Sequence, residues 1–289
     1  MTVPPPHGAE RTSVPTPRQS APRVSFETPP PHPSGERPPQ IPSERMPTHL
    51  AVIMDGNGRW AAQRGLPRHE GHRVGINDAM RDVVFGAAEI GLSHLSLFLF
   101  STENWKRGYQ EVTYLFDTLR DQLRSLVVTY AVLGVRLRRA GRTDGLLEEL
   151  IEELLHAESS TRHNPGLTLT FCFNYGGRAE LTQAAVRLMR AGKAGALHPD
   201  HVGESDLADH LLLPDPPDVD LLWRTGGERR ISNFLLWQST HAELHFTDAY
   251  RPDIDRRDLW QAINEYSHRQ RRHGAAPVSP PVSPGETSH

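Results

Sequence analysis

The residues best suited to chemistry lie in the stretch HLAVIMDGNGRW, residues 49–60. An apolar run ends there at one carboxylate, Asp55, which is followed by Gly56, Asn57, Gly58, Arg59 and Trp60. The glycines allow a sharp turn in which several backbone N–H groups face one anion, and Arg59 adds a fork of donors for phosphate oxygens. An aspartate beside bound phosphate commonly holds Mg²⁺. Taken alone, the hexapeptide is slightly better explained by a strand-ending turn that Asp55 only caps.

A second group of cations follows directly in the stretch RGLPRHEGHRVG. Glycine and proline interrupt it, so we interpret it as a loop rather than as the solvated face of a helix. Its position after the glycine turn favours a phosphate-facing cluster. The cations are Arg64, Arg68, His69, His72 and Arg73.

Two later stretches add polar groups after apolar runs. In FSTENWKR, residues 100–107, helix capping explains one or two of the polar residues but not all of Ser101, Thr102, Glu103, Asn104, Trp105 and Arg107. In RTGGERRISNFLLWQ, residues 224–238, a glycine pair with arginines and a serine predicts a second anion cradle, formed by Arg224, Arg230 and Ser232. Glu243 opens the last apolar run and offers a second carboxylate to a metal ion.

Several familiar site types are excluded by these patterns. The chain has neither the phosphate-binding loop of P-loop kinases nor the Gly-x-Gly-x-x-Gly of dinucleotide-binding folds. Asn57 stands two residues after Asp55, so the Asp-x-Asp of aspartyl-phosphate phosphatases is missing. The histidines do not fall at zinc-ligand spacing. The sequence thus offers two anion-binding loops, one or two carboxylates and apolar walls. This combination suits an enzyme that acts on two phosphorylated substrates with hydrophobic bodies.

The elements that position these residues alternate between strands and helices. Apolar runs predict strands at 49–54, 94–101, 135–141, 167–174, 219–225 and 243–248, and amphipathic patterns predict helices at 72–90, 109–133, 145–160, 178–191, 204–213 and 255–271. A helix beginning near Trp60 would add its dipole to the anion field. We predict one α/β domain with a mainly parallel central sheet flanked by helices. Ligands bind at the carboxyl ends of strands in such sheets, where polar clusters lie at 55–59, 101–107, 174–178 and 224–228.

The amino-acid composition indicates where the domain ends and which classes of protein are unsuitable. Of 25 prolines, 14 lie between Pro4 and Pro47, so we predict disordered tails at 1–46 and 275–289 around a catalytic domain at 47–274. A net charge of −3 argues against nucleic-acid binding. Cys172, the single cysteine, is predicted to be a buried, inert thiol, and one cysteine fits a cytoplasmic setting. We find no signal peptide and no apolar run of about 20 residues that would span a membrane.

Six ordered motifs resemble the signature regions of the cis-prenyltransferases, the isoprenyl transferase or undecaprenyl diphosphate synthase family. They are HLAVIMDGNGRWA, GHRVG, FSTENWKR, NYGGRAE, RTGGERRISNFLLWQ and AELHFTD. The resemblance implies a homodimer with a hydrophobic tunnel in each chain. It also implies a Mg²⁺-dependent condensation of isopentenyl diphosphate with an allylic prenyl diphosphate, which forms a cis double bond.

The resemblance also implies a role for each motif residue. Asp55 is similar to the catalytic, metal-binding aspartate, and Asn104 to a residue that assists proton removal. The allylic substrate is assigned Gly56, Asn57, Gly58, Arg59 and Arg68, with further substrate contacts from Trp60, His72, Ser101, Thr102, Glu103, Trp105 and Arg107. The isopentenyl diphosphate site is assigned Arg224, Arg230, Ile231 and Ser232. Glu243 is similar to a second Mg²⁺ ligand, which a partner subunit could supply, and Arg272 and Gly274 are similar to a motif that reaches across the dimer.

Three positions depart from the family pattern. Gly108 stands where many members have proline, and AYRPDID, residues 249–255, lacks a common tryptophan; we expect neither to touch the diphosphate chemistry. Leu99 stands where long-chain members often carry alanine, so it is a candidate for limiting chain length, with a C15 product as one hypothesis and ordinary sheet packing as the other. Product length therefore stays open between a short and a long chain.

Two other functions remain as alternatives. One is a head-to-middle prenyl coupling enzyme on the same fold, which needs the same diphosphate sites. The other is a non-catalytic partner subunit, which the retained Asp55 and arginines disfavour. An apolar product would bring a cytoplasmic enzyme into transient contact with a membrane.

Overall fold

The computed structural model of the chain describes residues 25–269. Arg272, Gly274, residues 1–24 of the predicted N-terminal tail and the predicted tail at 275–289 lie outside these residues. Within them, six strands form one sheet in the order β3-β4-β2-β1-β5-β6, and all neighbouring strands are parallel. The strands are β1 (His49–Ile53), β2 (His94–Ser101), β3 (Arg136–Ala140), β4 (Thr168–Tyr175), β5 (Leu221–Arg224) and β6 (Glu243–Phe246). The predicted parallel α/β sheet is confirmed, and each predicted strand agrees within two residues at either end.

Helices cover both faces of this sheet. They are α1 (Asn57–Gln63), α2 (Arg68–Val74), α3 (Met80–Glu89), α4 (Tyr109–Val132), α5 (Glu148–Thr161), α6 (Gly177–Lys193), α7 (Glu204–Asp209) and α8 (Arg256–Ser267). Alternate residues of β1 enter the two cores: Leu50 and Val52 the larger, Ala51 and Ile53 the smaller. This alternation follows from the two-residue period of a strand. Cys172 is fully buried in the smaller core, as predicted, and burial raises the pKa of its thiol.

The region after β1 differs most from the sequence prediction. α1 begins at Asn57, three residues before Trp60, and α2 begins at Arg68, where we predict a loop. The reason is the role of Gly71, which lies where α2 crosses α1. A Cβ at Gly71 would lie 2.0 Å from the carbonyl oxygen of Asn57, so this glycine permits close helix packing and does not form a turn. A π-helical turn, Gly75–Ala79, then joins α2 to α3.

The segment 25–46 lies against the domain in extended chain with one short 3-10 turn. The N–H of Glu27 donates to the carbonyl of Val132 at 2.9 Å, and the carbonyl of Pro30 accepts from Arg256 at 2.8 Å. Ile41 and Met46 pack against the larger core. Backbone hydrogen bonds and apolar contacts thus hold residues 25–46, which belong to the predicted N-terminal tail, against the domain.

Among residues 25–269, no helix combines the length and the apolar character that crossing a membrane requires.

Candidate functional site

A cavity of about 500 Å³ lies at the carboxyl ends of β1, β2 and β5. Its lining combines a polar set from the strand ends with an apolar wall. The predicted site residues that line it are Asp55, Asn57, Gly58, Arg68, His72, Leu99, Ser101, Glu103, Asn104, Arg107, Arg224 and Ser232. The structure thus brings together residues from all three polar stretches and from the second cation group.

Asp55 and Arg224 form the ion pair at the centre of this arrangement. Arg224 ends β5 almost fully buried, and its guanidinium donates to Asp55 Oδ2 at 2.8 Å and to Ser232 Oγ at 2.6 Å. Arg59 lies 3.5 Å from the same carboxylate, and the N–H of Gly56 donates to Asp55 Oδ1 at 2.6 Å. Burial raises the pKa of Asp55, but these hydrogen bonds and cationic charges outweigh it and hold the pKa below its usual value. The carboxylate is therefore ionised at neutral pH.

Two glycines permit the backbone approach around this ion pair. Gly56 has φ of +104°, and a Cβ there would lie 2.6 Å from the ring of Tyr250. Gly226 has φ of +85°, and a Cβ there would lie 2.9 Å from the guanidinium of Arg59 and 3.0 Å from the carbonyl carbon of Asp55. The loop after β5 can therefore pack directly on the loop after β1.

The second cation cluster is organised by Glu111, on the first turn of α4. Glu111 Oε1 lies 3.1 Å from Arg68, 3.2 Å from Arg107 and 3.7 Å from His72 Nε2. Burial first, and then the charges of Arg251, Arg107 and Arg68, lower the pKa of His72 to about 3. His72 is therefore neutral at neutral pH. Sequence reasoning missed Glu111; its position four residues after Arg107, at helical spacing, was the available signal.

The stretch after β2 forms a 3-10 helix, Thr102–Lys106. Asn104 Oδ1 accepts from the backbone N–H of Ser101 at 3.0 Å, so its amide also caps this turn. Glu103 accepts from Asn233 at 2.8 Å, which ties the turn to the loop after β5. The indole N–H of Trp105 donates to Asn174 at 2.7 Å, and its ring packs beside the aromatic wall rather than in the cavity lining.

Several predicted residues lie outside the cavity lining. Arg59 bridges Asp55 and Glu228, and Arg230 pairs with Glu228 while its carbonyl accepts from Arg224. The indole of Trp60 donates to Asp253. The remaining ones are Gly56, Thr102, Trp105, Ile231 and Glu243, together with Arg64, His69 and Arg73 of the second cation group.

Glu243 is the one predicted carboxylate that this chain keeps away from Asp55. It begins β6 and pairs with Leu221, the first residue of β5, whereas Arg224 ends β5. At about 3.3 Å per residue, this register puts Glu243 roughly 10 Å below the carboxyl edge. Its carboxylate is paired with Arg269 at 2.8 Å. A metal-binding role for Glu243 at an Asp55 site would require a second chain.

The apolar wall comes mainly from β2 and α4. Phe98, Leu99 and Phe100 all line the cavity, which a regular strand would not allow because successive side chains alternate. The pairing of β2 with β4 explains this: Phe98 pairs with Cys172 and Phe100 with Phe173, so Leu99 is the extra residue of a bulge. Further apolar lining comes from Ile53, Met54, Ile76, Leu115, Leu119 and Phe173.

The stretch 249–255 also reaches the site, contrary to expectation. Arg251 lines the cavity, and its backbone N–H donates to the carbonyl of Asp55 at 2.9 Å. The ring of Tyr250 lies against Gly56 and under Arg59, 5.4 Å from its guanidinium carbon. The arginine in a stretch that departs from the family pattern was the signal available in the sequence.

The donor set at Asp55 suits a Mg²⁺ ion that arrives with a phosphate ligand. Mg²⁺ is usually held by one or two carboxylates together with substrate phosphates and water, and Asp55 is one ionised carboxylate among arginines. Among the described residues, one group of three side chains with metal-ligand types lies at close range, His32, Asp82 and Asp255, and none of the three lines the cavity. Both of its carboxylates are already paired with Arg256 or Arg257.

The comparisons with known proteins agree with this geometry. A family model described as a putative undecaprenyl diphosphate synthase, of the prenyltransferase family, matches residues 53–274. The chain belongs to this family.

Relatives and solved structures cover most of the chain. It is 54% identical over 258 residues to a trans,polycis-polyprenyl diphosphate synthase ((2Z,6E)-farnesyl diphosphate specific) from Thermobifida fusca, covering 88% of this chain and 91% of that protein. It is 50% identical over 234 residues to decaprenyl diphosphate synthase from Mycobacterium tuberculosis, covering 81% and 79%. The crystal structure of lavandulyl diphosphate synthase from Lavandula x intermedia, in complex with dimethylallyl diphosphate, superposes with a TM-score of 0.77 at 33% identity, covering 79% of this chain and 98% of that one.

Proposed function

We propose that this chain condenses isopentenyl diphosphate with an allylic prenyl diphosphate to give a cis-configured prenyl diphosphate. The observation that carries the proposal is the single cavity in which Asp55, Arg224, Arg68 and Arg107 face one end and an apolar wall begins beside them. The cationic end fits the diphosphate groups of two substrates, and the apolar wall fits the hydrocarbon parts of these substrates. Family membership and the names of the relatives support the same reaction class.

The chemistry follows from this division of the cavity. The allylic C–O bond breaks and its electron pair leaves with diphosphate, while the double bond of isopentenyl diphosphate attacks the allylic carbon. A proton then leaves the new carbocation and a cis double bond forms. Fixed guanidinium groups stabilise the charge that develops on the leaving diphosphate, and the apolar wall excludes water from the cation. In this proposal Asn104, which lines the cavity, assists removal of the proton.

A Mg²⁺ ion is part of the proposal, with Asp55 as its ligand in this chain. Bound there, it would neutralise charge on the leaving diphosphate. Glu243 would join it only from a second subunit, which makes the predicted homodimer part of the same proposal.

Product length is proposed to be short, because Leu99 lines the cavity at a strand bulge. The relatives do not decide between lengths, since one is named for a farnesyl product and another for a decaprenyl product. We further propose a cytoplasmic enzyme that meets the membrane transiently through its apolar product.

The test is incubation of the purified full-length protein with radiolabelled isopentenyl diphosphate and an allylic diphosphate, followed by chromatography of the lipid product. We expect a prenyl diphosphate that forms with Mg²⁺ and fails to form with a chelator. Product from an allylic diphosphate alone would instead support the head-to-middle coupling reaction. No product under either condition would support a non-catalytic partner subunit.

A further inference from the structure

Arg251 presents a buried positive charge that the described part of the chain leaves unpaired. Its side chain is 3% exposed, and neither Nε nor Nη2 has a hydrogen-bond partner there. Burial lowers its pKa to about 10, which still leaves the guanidinium charged at neutral pH. An ion removed from water without a partner is strongly destabilising, so such a group calls for a counterion.

Arg256 shows how this same domain treats a buried arginine with a structural role. It is 2% exposed, and its guanidinium donates to Asp82 at 2.6 Å, to Glu89 at 3.0 Å and to the carbonyl of Pro30 at 2.8 Å. Arg251 differs from it in partners and not in burial. Arg251 is also the one of the two that lines the site cavity.

Other unsatisfied polar atoms surround Arg251. Asn57 Oδ1 and His72 Nε2 are also buried without hydrogen-bond partners among the described residues. Gly75 keeps the space between them open: a Cβ there would lie 2.5 Å from Asn57 Oδ1 and 3.2 Å from Arg251 Nε. Gly75 also begins the π-helical turn, a rare element that is frequent at functional sites. Unpaired donors and acceptors thus converge on one side of the cavity.

The charges facing this region are mainly positive. The pKa of His72 is lowered by the positive charges of Arg251, Arg107 and Arg68. The carboxylate of Glu111 is shared between Arg68 and Arg107. The carboxylate of Asp55 is shared between Arg224 and Arg59. Arg251 belongs to neither of these groups. The lining as a whole carries four guanidinium groups, of Arg68, Arg107, Arg224 and Arg251, against the two carboxylates of Asp55 and Glu103. A ligand with several negative charges fits this field.

We propose that Arg251 is a further binding residue for the diphosphate of the allylic substrate, which it contacts from the buried wall beside Asn57 and His72. The proposal rests on the proposed function, since that function places a diphosphate in this cavity. The allylic diphosphate is favoured over isopentenyl diphosphate because the neighbours of Arg251 belong to α1 and α2, whereas Ser232 and Arg230 pack on Arg224 at the other side.

The experiment compares Arg251→Met, Arg251→Lys and Arg256→Met in the full-length protein. Inorganic pyrophosphate with Mg²⁺ is titrated by calorimetry, the melting temperature is measured with and without pyrophosphate, and KM is determined for each substrate separately. The Arg251→Met variant loses a charged hydrogen-bonding group. It should therefore bind pyrophosphate about 10- to 100-fold more weakly than the wild-type protein. KM for the allylic substrate should rise, and KM for isopentenyl diphosphate should stay within about twofold.

The melting temperatures separate a ligand from a structural residue. Without pyrophosphate, Arg251→Met should melt no lower than wild type, because an uncompensated buried charge has been removed. Arg256→Met should melt lower but keep the full pyrophosphate-induced increase. Arg251→Lys should bind pyrophosphate better than Arg251→Met, because it keeps the charge.

A lower melting temperature of Arg251→Met together with unchanged pyrophosphate affinity would overturn the proposal and make Arg251 a structural residue. Arg68→Met, which removes another guanidinium that lines the cavity, separates this failure from failure of the proposed function. If Arg68→Met weakens pyrophosphate binding and Arg251→Met does not, only the role of Arg251 is wrong. If both leave it unchanged, the cavity is not the diphosphate site.

Discussion

Replacing Asp55 separates its electrostatic role from its structural one. Asp55→Asn keeps an oxygen that can accept the 2.8 Å hydrogen bond from Arg224 and removes the charge, whereas Asp55→Ala removes both. Arg224 retains Ser232 and the carbonyl of Arg230 in either variant. The loss of one charged hydrogen bond to a carboxylate that is about one-third exposed should lower the free energy of unfolding by about 1–2 kcal/mol in Asp55→Ala, and by less in Asp55→Asn.

The catalytic loss should be much larger than this change in stability. One oriented group that handles charge in the transition state is worth about 10²- to 10³-fold in rate, so both variants should lose at least that factor in kcat. The assay is product formation at saturating substrates with Mg²⁺, alongside urea unfolding of the same preparations. A folded Asp55→Asn variant with kcat within about threefold of wild type would refute the reasoning.

Three further outcomes are expected. Leu99→Ala, which removes three side-chain carbons from the cavity wall, should lengthen the product by at least one isoprene unit on chromatography; an unchanged length would leave Leu99 as ordinary packing. His49 is buried, and burial lowers its pKa from 6.5 to about 4, so the unfolded state binds its proton first as the pH falls. The contribution of neutral His49 to stability is complete above about pH 6.5 and is lost as the pH falls towards 4. Between pH 7 and pH 5, the free energy of unfolding should therefore fall by about 2 kcal/mol because of this residue. His49→Gln should reduce the pH dependence of urea unfolding by that amount, and an identical dependence in both proteins would contradict the assignment. Mixed dimers of Asp55→Ala and Glu243→Ala subunits should recover about half of wild-type activity if Glu243 acts across an interface, because one of two sites is then intact. Wild-type activity in a homodimer of Glu243→Ala subunits would place Glu243 outside the site.

The order of elements could be read from the sequence because buried parallel strands are apolar on both faces. β1 and β4 are buried at every position, and their runs stand out from the amphipathic helices around them. Asp55, Ser101 and Arg224 could be identified as site residues for a related reason. Each stands at or just after the carboxyl end of a strand, and a parallel sheet brings those ends to one edge.

The sheet, its direction and the polar residues along one edge can therefore be predicted from the sequence alone, because they depend on local patterns and on one topological rule. The tertiary structure decided which charges are paired. Arg224 reaches Asp55 because β5 lies beside β1, and Glu243 does not because β6 places it at the opposite end of the strands. It also decided that Arg251 is buried without a partner beside the cavity, since pairing and burial depend on side chains that meet only when distant segments pack together.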